Sequence, residues 1–158
     1  MDIRVISTEN REQINKFIID HWFSTEMVIR GKVFDMTAME GFAIYEENNI
    51  IGLATYMIEN NECEIMSLDS LKEKQGIGTM LVDKVIEAAK EAGCNKVKLI
   101  TTNDNLNAIG FYQKRGFDLT RIYPNAVDAA RKIKPSIPIL GDYNIPLKHE
   151  LEFEIVLV

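Results

Sequence analysis

Leu68-Asp69-Ser70-Leu71-Lys72-Glu73-Lys74-Gln75-Gly76-Ile77-Gly78-Thr79 joins two segments of different rhythm. Residues 62–68 before the loop are strand-like in composition. Residues 76–92 after it carry apolar side chains at Ile77, Leu81, Val82, Val85, Ile86 and Ala89, the period of an amphipathic helix, and Gly93 supplies a stop. The junction therefore predicts a strand, a short loop and a helix. Gly76 and Gly78, one residue apart, let backbone come close to a ligand. The N–H groups of Gln75, Gly76, Ile77, Gly78 and Thr79 then point outward at a helix start, where the peptide dipoles add partial positive charge. That combination suits a pyrophosphate. A Gly-x-Gly alone serves equally well as a tight turn before a helix. Two phosphate loops are excluded. The dinucleotide fingerprint needs a third glycine where Leu81 stands, and the nucleotide P-loop needs a closing Gly-Lys-Ser/Thr that is absent.

Working outward, residues 41–46, 50–59 and 62–68 are strand-like, and Asn48-Asn49 and Asn60-Asn61 separate them. Asparagine tolerates the positive φ of tight hairpin turns, so these segments predict a three-stranded antiparallel meander. Residues 3–6 fit an opening strand. Asn10 fits the cap of a helix through Trp22, with Ile14, Phe17, Ile18 and His21 roughly on one face. Residues 27–39 are less regular and fit either helix or loop. Downstream, residues 96–101 form a strand pattern with Val97, Leu99 and Thr101 on one face. Residues 105–115 form a helix stopped by Gly116, and residues 117–123 another strand. Alternation of strand and helix from 62 to 123 implies right-handed crossovers and locally parallel pairing. The prediction is one α/β domain with a mixed central β-sheet flanked by helices.

A second motif makes the junction specific. Asn105-Leu106-Asn107-Ala108-Ile109-Gly110-Phe111-Tyr112-Gln113-Lys114-Arg115-Gly116-Phe117 follows the loop at one strand's remove. A Gly-x-Gly opening an amphipathic helix, followed by Asn-x-x-Ala-x-x-Phe-Tyr-x-x-x-Gly-Phe, resembles the GNAT superfamily of acetyl-CoA-dependent N-acetyltransferases. The resemblance in motifs runs from Glu62 through Phe117, and the element order of residues 41–123 is similar too. It implies acetyl-CoA as co-substrate, held by the N–H groups of residues 75–79 and by donors near Leu68, with Asn105 capping its helix and contacting the pantetheine arm. Tyr112 matches the tyrosine that protonates the departing thiolate. The implied reaction is direct attack of a primary amine on the thioester, and Glu62 and Glu64, alternating onto one strand face, are the candidates for taking its proton. Carboxylates on a strand also serve simply as a solvated face. One position departs from the family: Glu73 stands where Gln or Arg is usual, three residues before Gly76, and a carboxylate there repels pyrophosphate unless it turns to solvent and Lys72 or Lys74 compensates. That departure keeps open a non-catalytic acyl-CoA-binding regulatory module.

Composition limits the alternatives. Hydrophobic residues at 46% and charged residues at 27% belong to a globular chain. A net charge of −6 argues against nucleic acid and anionic membranes as partners, since both need clustered Lys and Arg. Residues 50–58, the longest mostly apolar stretch, are too few to span a bilayer, and no basic-then-apolar leader opens the sequence. Cys63 and Cys94 lack metal-ligand spacing and fit reduced thiols in a cytoplasmic protein without a metal. His21 and His149 stand outside both motifs.

Residues 124–149 lie outside the family pattern. A short helix over 125–133 is followed by Pro135, Pro138, Gly141 and Pro146 before a last strand, 150–157. In that strand Leu151, Phe153, Ile155 and Leu157 alternate with Glu152 and Glu154, which predicts one buried and one solvated face. The stiff Pro135-Ser136-Ile137-Pro138 run suits a preformed wall, with Trp22, Phe23, Arg30 and Tyr143 as lining for a small-molecule or peptide amine acceptor. A covered sheet edge or a homodimer contact fits the same segment equally well.

Overall fold

The computed structural model describes residues 1–72 and 75–158 of the chain. Its elements follow in the order β1 (Asp2–Val5), α1 (Arg11–Trp22), β2 (Glu26–Ile29), β3 (Lys32–Asp35), β4 (Glu40–Glu46), β5 (Asn49–Glu59), β6 (Glu62–Ser70), α2 (Ile77–Glu91), β7 (Lys96–Thr102), α3 (Leu106–Lys114), β8 (Asp118–Tyr123), α4 (Ala126–Ile133) and β9 (Glu150–Val156). Among the described residues, seven strands make one mixed sheet in the order β1-β4-β5-β6-β7-β9-β8, while β2 and β3 pair separately. The predicted single α/β domain with a mixed central sheet is what the chain forms. Within it, contacts gather into two compact units: Met1–Met27, Asp35–Val97 and Leu157–Val158 form the first, and Val28–Phe34 with Lys98–Val156 the second.

In the first unit, β1, β4, β5 and β6 are antiparallel neighbours. The β5–β6 turn uses Asn60 and Asn61 at φ of 53° and 61°, as their tolerance of the left-handed region predicts. The β4–β5 turn sits one residue earlier than the asparagines suggested, at Glu47 (φ 55°) and Asn48 (φ 72°). Helix α2 buries Ile77, Leu81, Val82, Val85 and Ala89, the predicted stripe, and each of the larger ones contributes roughly 1.5–3 kcal/mol by leaving water. Gly52 brings β5 close beneath α2: a Cβ there would stand 2.5 Å from Ile77 Cγ2 and 3.2 Å from Leu81 Cδ1. Helix α2 ends on Gly93 (φ 77°), with Cys94 N–H bonded to Ala89 O at 2.9 Å and Gly93 N–H to Lys90 O at 3.1 Å. Those two bonds satisfy carbonyls that the helix end would otherwise orphan.

Residues 27–39, left between helix and loop on sequence, contain the β2–β3 hairpin. Arg30 (φ 50°) and Gly31 (φ 75°) form its two-residue turn. The signal was present in the Arg-Gly pair flanked by β-branched and aromatic residues, but arginine is a poor marker for a left-handed position.

In the second unit, β9 pairs antiparallel with β8 and departs from the predicted alternation. Glu150 and Glu152 are buried, at 3% and 8% exposure, beside buried Leu151 and Phe153. Both carboxylates have partners that make burial tolerable. Glu150 Oε1 accepts from Arg30 N–H at 2.9 Å, and Glu152 Oε1 accepts from Tyr123 O–H at 3.1 Å and lies 3.9 Å from Arg30 Nη1.

Candidate functional site

Strand β6 carries an irregularity that period-two reading does not see. Tyr56 lies opposite Ile65 and Thr55 opposite Ser67, so Met66 is the extra residue of a bulge. Beyond it, Ala54 faces Leu68 and Leu53 faces Asp69; before it, Met57 faces Glu64 and Glu59 faces Glu62. Opposed residues share a sheet face. The bulge therefore brings Asp69 and Ser67 onto the same face as Glu62 and Glu64, although simple alternation would separate Asp69 from the two glutamates. Gly52, whose missing Cβ points at Ile77 and Leu81, marks the opposite face as the one under α2.

The four residues of that face differ in their surroundings. Glu62 Oε2 lies 3.5 Å from Lys96 Nζ. Glu64 is buried at 6% exposure. Ser67 Oγ and Thr55 Oγ1 share a buried hydrogen bond of 2.6 Å. Asp69 is half-buried, and its Oδ2 accepts from the indole Nε1–H of Trp22 at 3.0 Å. Burial raises the Asp69 carboxyl above its ordinary value, with the Trp22 hydrogen bond and the nearby His21 pulling the other way. A carboxyl raised by folding takes up a proton as the chain folds. Its contribution favours the fold below the unfolded-state value and is lost as pH rises through the folded one. Asp69→Asn, which keeps an oxygen for Trp22, is thus expected to raise the thermal midpoint at neutral pH. The difference should close on acidification through the Asp69 titration, as melting curves across pH would show. An equal or lower midpoint at neutral pH would contradict the desolvation cost.

Past β6 the chain turns toward α2. Lys72, one of the two compensating cations offered by the sequence, is bonded through Nζ to the Glu46 carboxylate, whose titration it lowers. Glu73 and Lys74 lie outside the described residues. Gly76 adopts φ 73° and ψ 12°, the left-handed conformation, as the cap of α2. Met80 N–H is the first to bond back along the helix, to Gly76 O at 2.9 Å. The N–H groups of Ile77 and Gly78 thus precede the first helical bond, at the positive end of a 15-residue helix. Thr79 belongs to the same turn. Ile77 itself is buried at 1% exposure and anchors that turn to the core.

In the second unit, Asn105 caps α3: its Oδ1 accepts from Ala108 N–H at 3.1 Å. The far end of α3 explains the spacing Tyr-x-x-x-Gly-Phe. Gly116 takes φ 93°, its N–H bonds Gln113 O at 3.1 Å, and Phe117 N–H bonds Tyr112 O at 3.1 Å. This double bond at a helix end brings Phe117 back over Tyr112, and their ring centroids lie 5.5 Å apart. Phe111 at 5.1 Å and Phe153 at 6.4 Å complete an aromatic cluster around Tyr112, which is 6% exposed. Two backbone bonds at the helix end and three neighbouring rings thus hold the tyrosine ring in place.

The segment from α4 to β9 is organised by residues that no motif marked. Arg131 donates to the carbonyls of Ile137, Pro138 and Leu147 and to Asp128. Asp128 in turn accepts from Lys148 Nζ at 2.8 Å, and these cations hold its carboxyl below the ordinary value. Asn103 Oδ1 accepts from the N–H groups of Lys148 and His149 at 3.0 and 2.9 Å. Asp104 Oδ2 accepts from Asp142 N–H at 2.8 Å, and any Cβ on Gly141 would collide with that carboxylate. Tyr143 is exposed, with its hydroxyl 3.2 Å from Asn107 Oδ1, and Arg30 is turned toward Glu152. His149 Nδ1 accepts from Asn125 N–H at 2.8 Å, and His21 Nδ1 lies 2.9 Å from Phe17 O. Cys63 and Cys94 are buried free thiols, and burial pushes Cys63 up to about 12. A thiol so held is inert. Among the described residues no helix is long and apolar enough to cross a membrane.

The bulged strand and Gly-capped helix start of the first unit, and the asparagine-capped, Gly-Phe-terminated helix of the second, carry the two sequence motifs. The chain belongs to the acetyltransferase (GNAT) family, whose model matches residues 7–117. It is 46% identical over 142 residues to "Uncharacterized protein YxbD" of Bacillus subtilis (strain 168), covering 89% of each chain. A shorter stretch of 79 residues is 38% identical to N-alpha-acetyltransferase 30 of Xenopus laevis, 48% of this chain and 29% of that one. The fold matches a GNAT family acetyltransferase from Elizabethkingia anophelis with acetyl-CoA bound, at a TM-score of 0.71 and 21% identity, over 99% of this chain and 97% of that one.

Proposed function

We propose that the chain moves an acetyl group from acetyl-CoA to a primary amine on a small molecule or peptide, by direct attack of the amine nitrogen on the thioester. The observation that carries this is Gly76 in the left-handed conformation capping α2, six residues past the end of β6, the strand that the Met66 bulge interrupts. A diphosphate presented there meets the N–H groups of Gln75 to Thr79 and the positive end of the helix dipole, about half an elementary charge. Leu68 lies on the strand next to that loop, where family membership puts backbone donors for the pantetheine and the thioester oxygen. Asn105 and Tyr112 take the family roles of pantetheine contact and thiolate acid. The amine must lose a proton, and the face of β6 that carries Glu62, Glu64 and Asp69 supplies carboxylates for it. Likeness to N-alpha-acetyltransferase 30 over half the chain supports nitrogen as the accepting atom.

The test is release of CoA thiol from acetyl-CoA in the presence of a panel of primary amines: benzylamine, spermidine, free amino acids and short peptides with free N-termini. Amine-dependent release with at least one of them is expected. Tight acetyl-CoA binding with no amine-dependent release across the panel would instead identify a non-catalytic acyl-CoA-binding module.

A further inference from the structure

The notable feature left over from the site is a carboxylate held by a neutral donor. Glu62 faces Lys96 Nζ, Glu46 is bonded to Lys72, and Glu64 is closed off from solvent. Asp69 is different. Among the described residues the side chain bonded to it is the indole of Trp22, which orients the carboxylate without neutralising it. We propose that Asp69 receives the acceptor's ammonium group and takes its proton before attack, an assignment that rests on the acetyl-transfer function above.

Three placements support it. The Met66 bulge turns Asp69 to the face of β6 away from α2, and Asp69 is the residue next to Leu68, at the end of the strand that runs into the Gly76 loop. An amine approaching from that face therefore meets the carboxylate one residue from the backbone assigned to the thioester. Next, the surroundings favour a cation. Leu53 is the residue opposite on β5, and Trp22 (37% exposed) and Phe23 (89% exposed) stand at the end of α1. Aromatic faces attract ammonium, and the attraction grows as water is excluded. Phe23 takes φ 59° as the C-cap of α1, its N–H bonded to Ile19 O at 2.9 Å, and so ends the helix that carries Trp22. Third, among the described residues the titratable groups set against Asp69 come from α1 and from its own sheet face, which also carries Glu62. His21 of α1 bears electrostatically on Asp69, and Glu64 shares its sheet face. The carboxyl, raised by burial, is thereby a stronger base than an exposed aspartate.

The step balances as follows. The ammonium transfers one proton to the Asp69 carboxylate, and the freed nitrogen lone pair attacks the thioester carbonyl carbon. The C–N bond forms and the C–S bond breaks. The departing thiolate takes a proton from Tyr112, the second nitrogen proton is lost to water as the amide forms, Tyr112 regains a proton from water, and Asp69 returns its own to water.

The chain contains one tryptophan, so Trp22 reports on this carboxylate directly. The full chain, labelled with nitrogen-15, is titrated with benzylammonium chloride and, separately, with benzyl alcohol while the indole N–H resonance is followed. A saturable shift with benzylammonium, absent with benzyl alcohol and lost in Asp69→Asn, is expected. Asp69→Asn should also lower kcat/KM for whichever panel amine is acetylated by about 10²–10⁴-fold, with Asp69→Glu recovering part of it. In Trp22→Phe, loss of the donor that favours the charged form should move the acid limb of kcat/KM to higher pH. An unshifted resonance in the wild type, or an Asp69→Asn chain that responds and turns over normally, overturns the proposal. Failure of the underlying function looks different, because acetyl-CoA then neither binds nor releases thiol while the ammonium response persists.

Discussion

Replacing Tyr112 with Phe is expected to slow the chemical step by about 10²–10⁴-fold, the range for loss of a positioned general acid, with little change in the thermal midpoint. The stability half of that expectation follows from packing. The Tyr112 ring sits among Phe111, Phe117 and Phe153, and the double backbone bond at the end of α3 fixes it through residues that the substitution leaves alone. A phenyl ring fills the same space, so only the hydroxyl disappears, and the net worth of its hydrogen bonding is about 1 kcal/mol. The kinetic half follows from the leaving group. A thiolate expelled from the tetrahedral intermediate is stabilised when a proton arrives with its departure, and without the phenol that proton must come from water. Single-turnover thiol release with a panel amine separates this step from product release. Normal single-turnover rates in Tyr112→Phe would reduce the residue to a packing role.

Much of the fold was legible because its signals are local. The meander announced itself through Asn60-Asn61, α2 through its apolar stripe and Gly93, and α3 through Asn105 and Gly116. Those residues act through their own backbone, so a single sequence exposes them. What stayed hidden depends on partners distant in sequence. Glu152 looked solvated because alternation says nothing of Arg30 or Tyr123, more than twenty residues away. Arg131 resembles any helical arginine until three carbonyls from the following loop converge on it. The β2–β3 hairpin was missed because its turn uses arginine where asparagine would have been conspicuous. In the site, Glu62 and Glu64 drew attention as an alternating pair, while Asp69 lay past the end of the predicted strand, residues 62–68. The strand in fact runs on through Ser70, and a one-residue bulge at Met66, invisible to period-two reasoning, puts Asp69 on the face of the two glutamates.

Gly78→Val carries the second large effect. Gly78 lies in the first turn of α2, where its N–H precedes the first helical bond, and a branched side chain there occupies space that a diphosphate needs. The helix itself tolerates the change, since valine has a somewhat better helix propensity than glycine and the turn is anchored by buried Ile77. Loss of a charge-assisted hydrogen bond costs about 1.5–3 kcal/mol, which lowers affinity roughly ten- to a hundredfold. Isothermal titration of acetyl-CoA, CoA and ATP into the wild-type and Gly78→Val chains measures this directly, with circular dichroism confirming the fold of both. Binding of acetyl-CoA and CoA in preference to ATP is expected in the wild type, with affinity for both falling at least tenfold in the variant. Equal acetyl-CoA affinity in a folded Gly78→Val chain, or no acetyl-CoA binding by the wild type, would contradict a cofactor site at the start of α2.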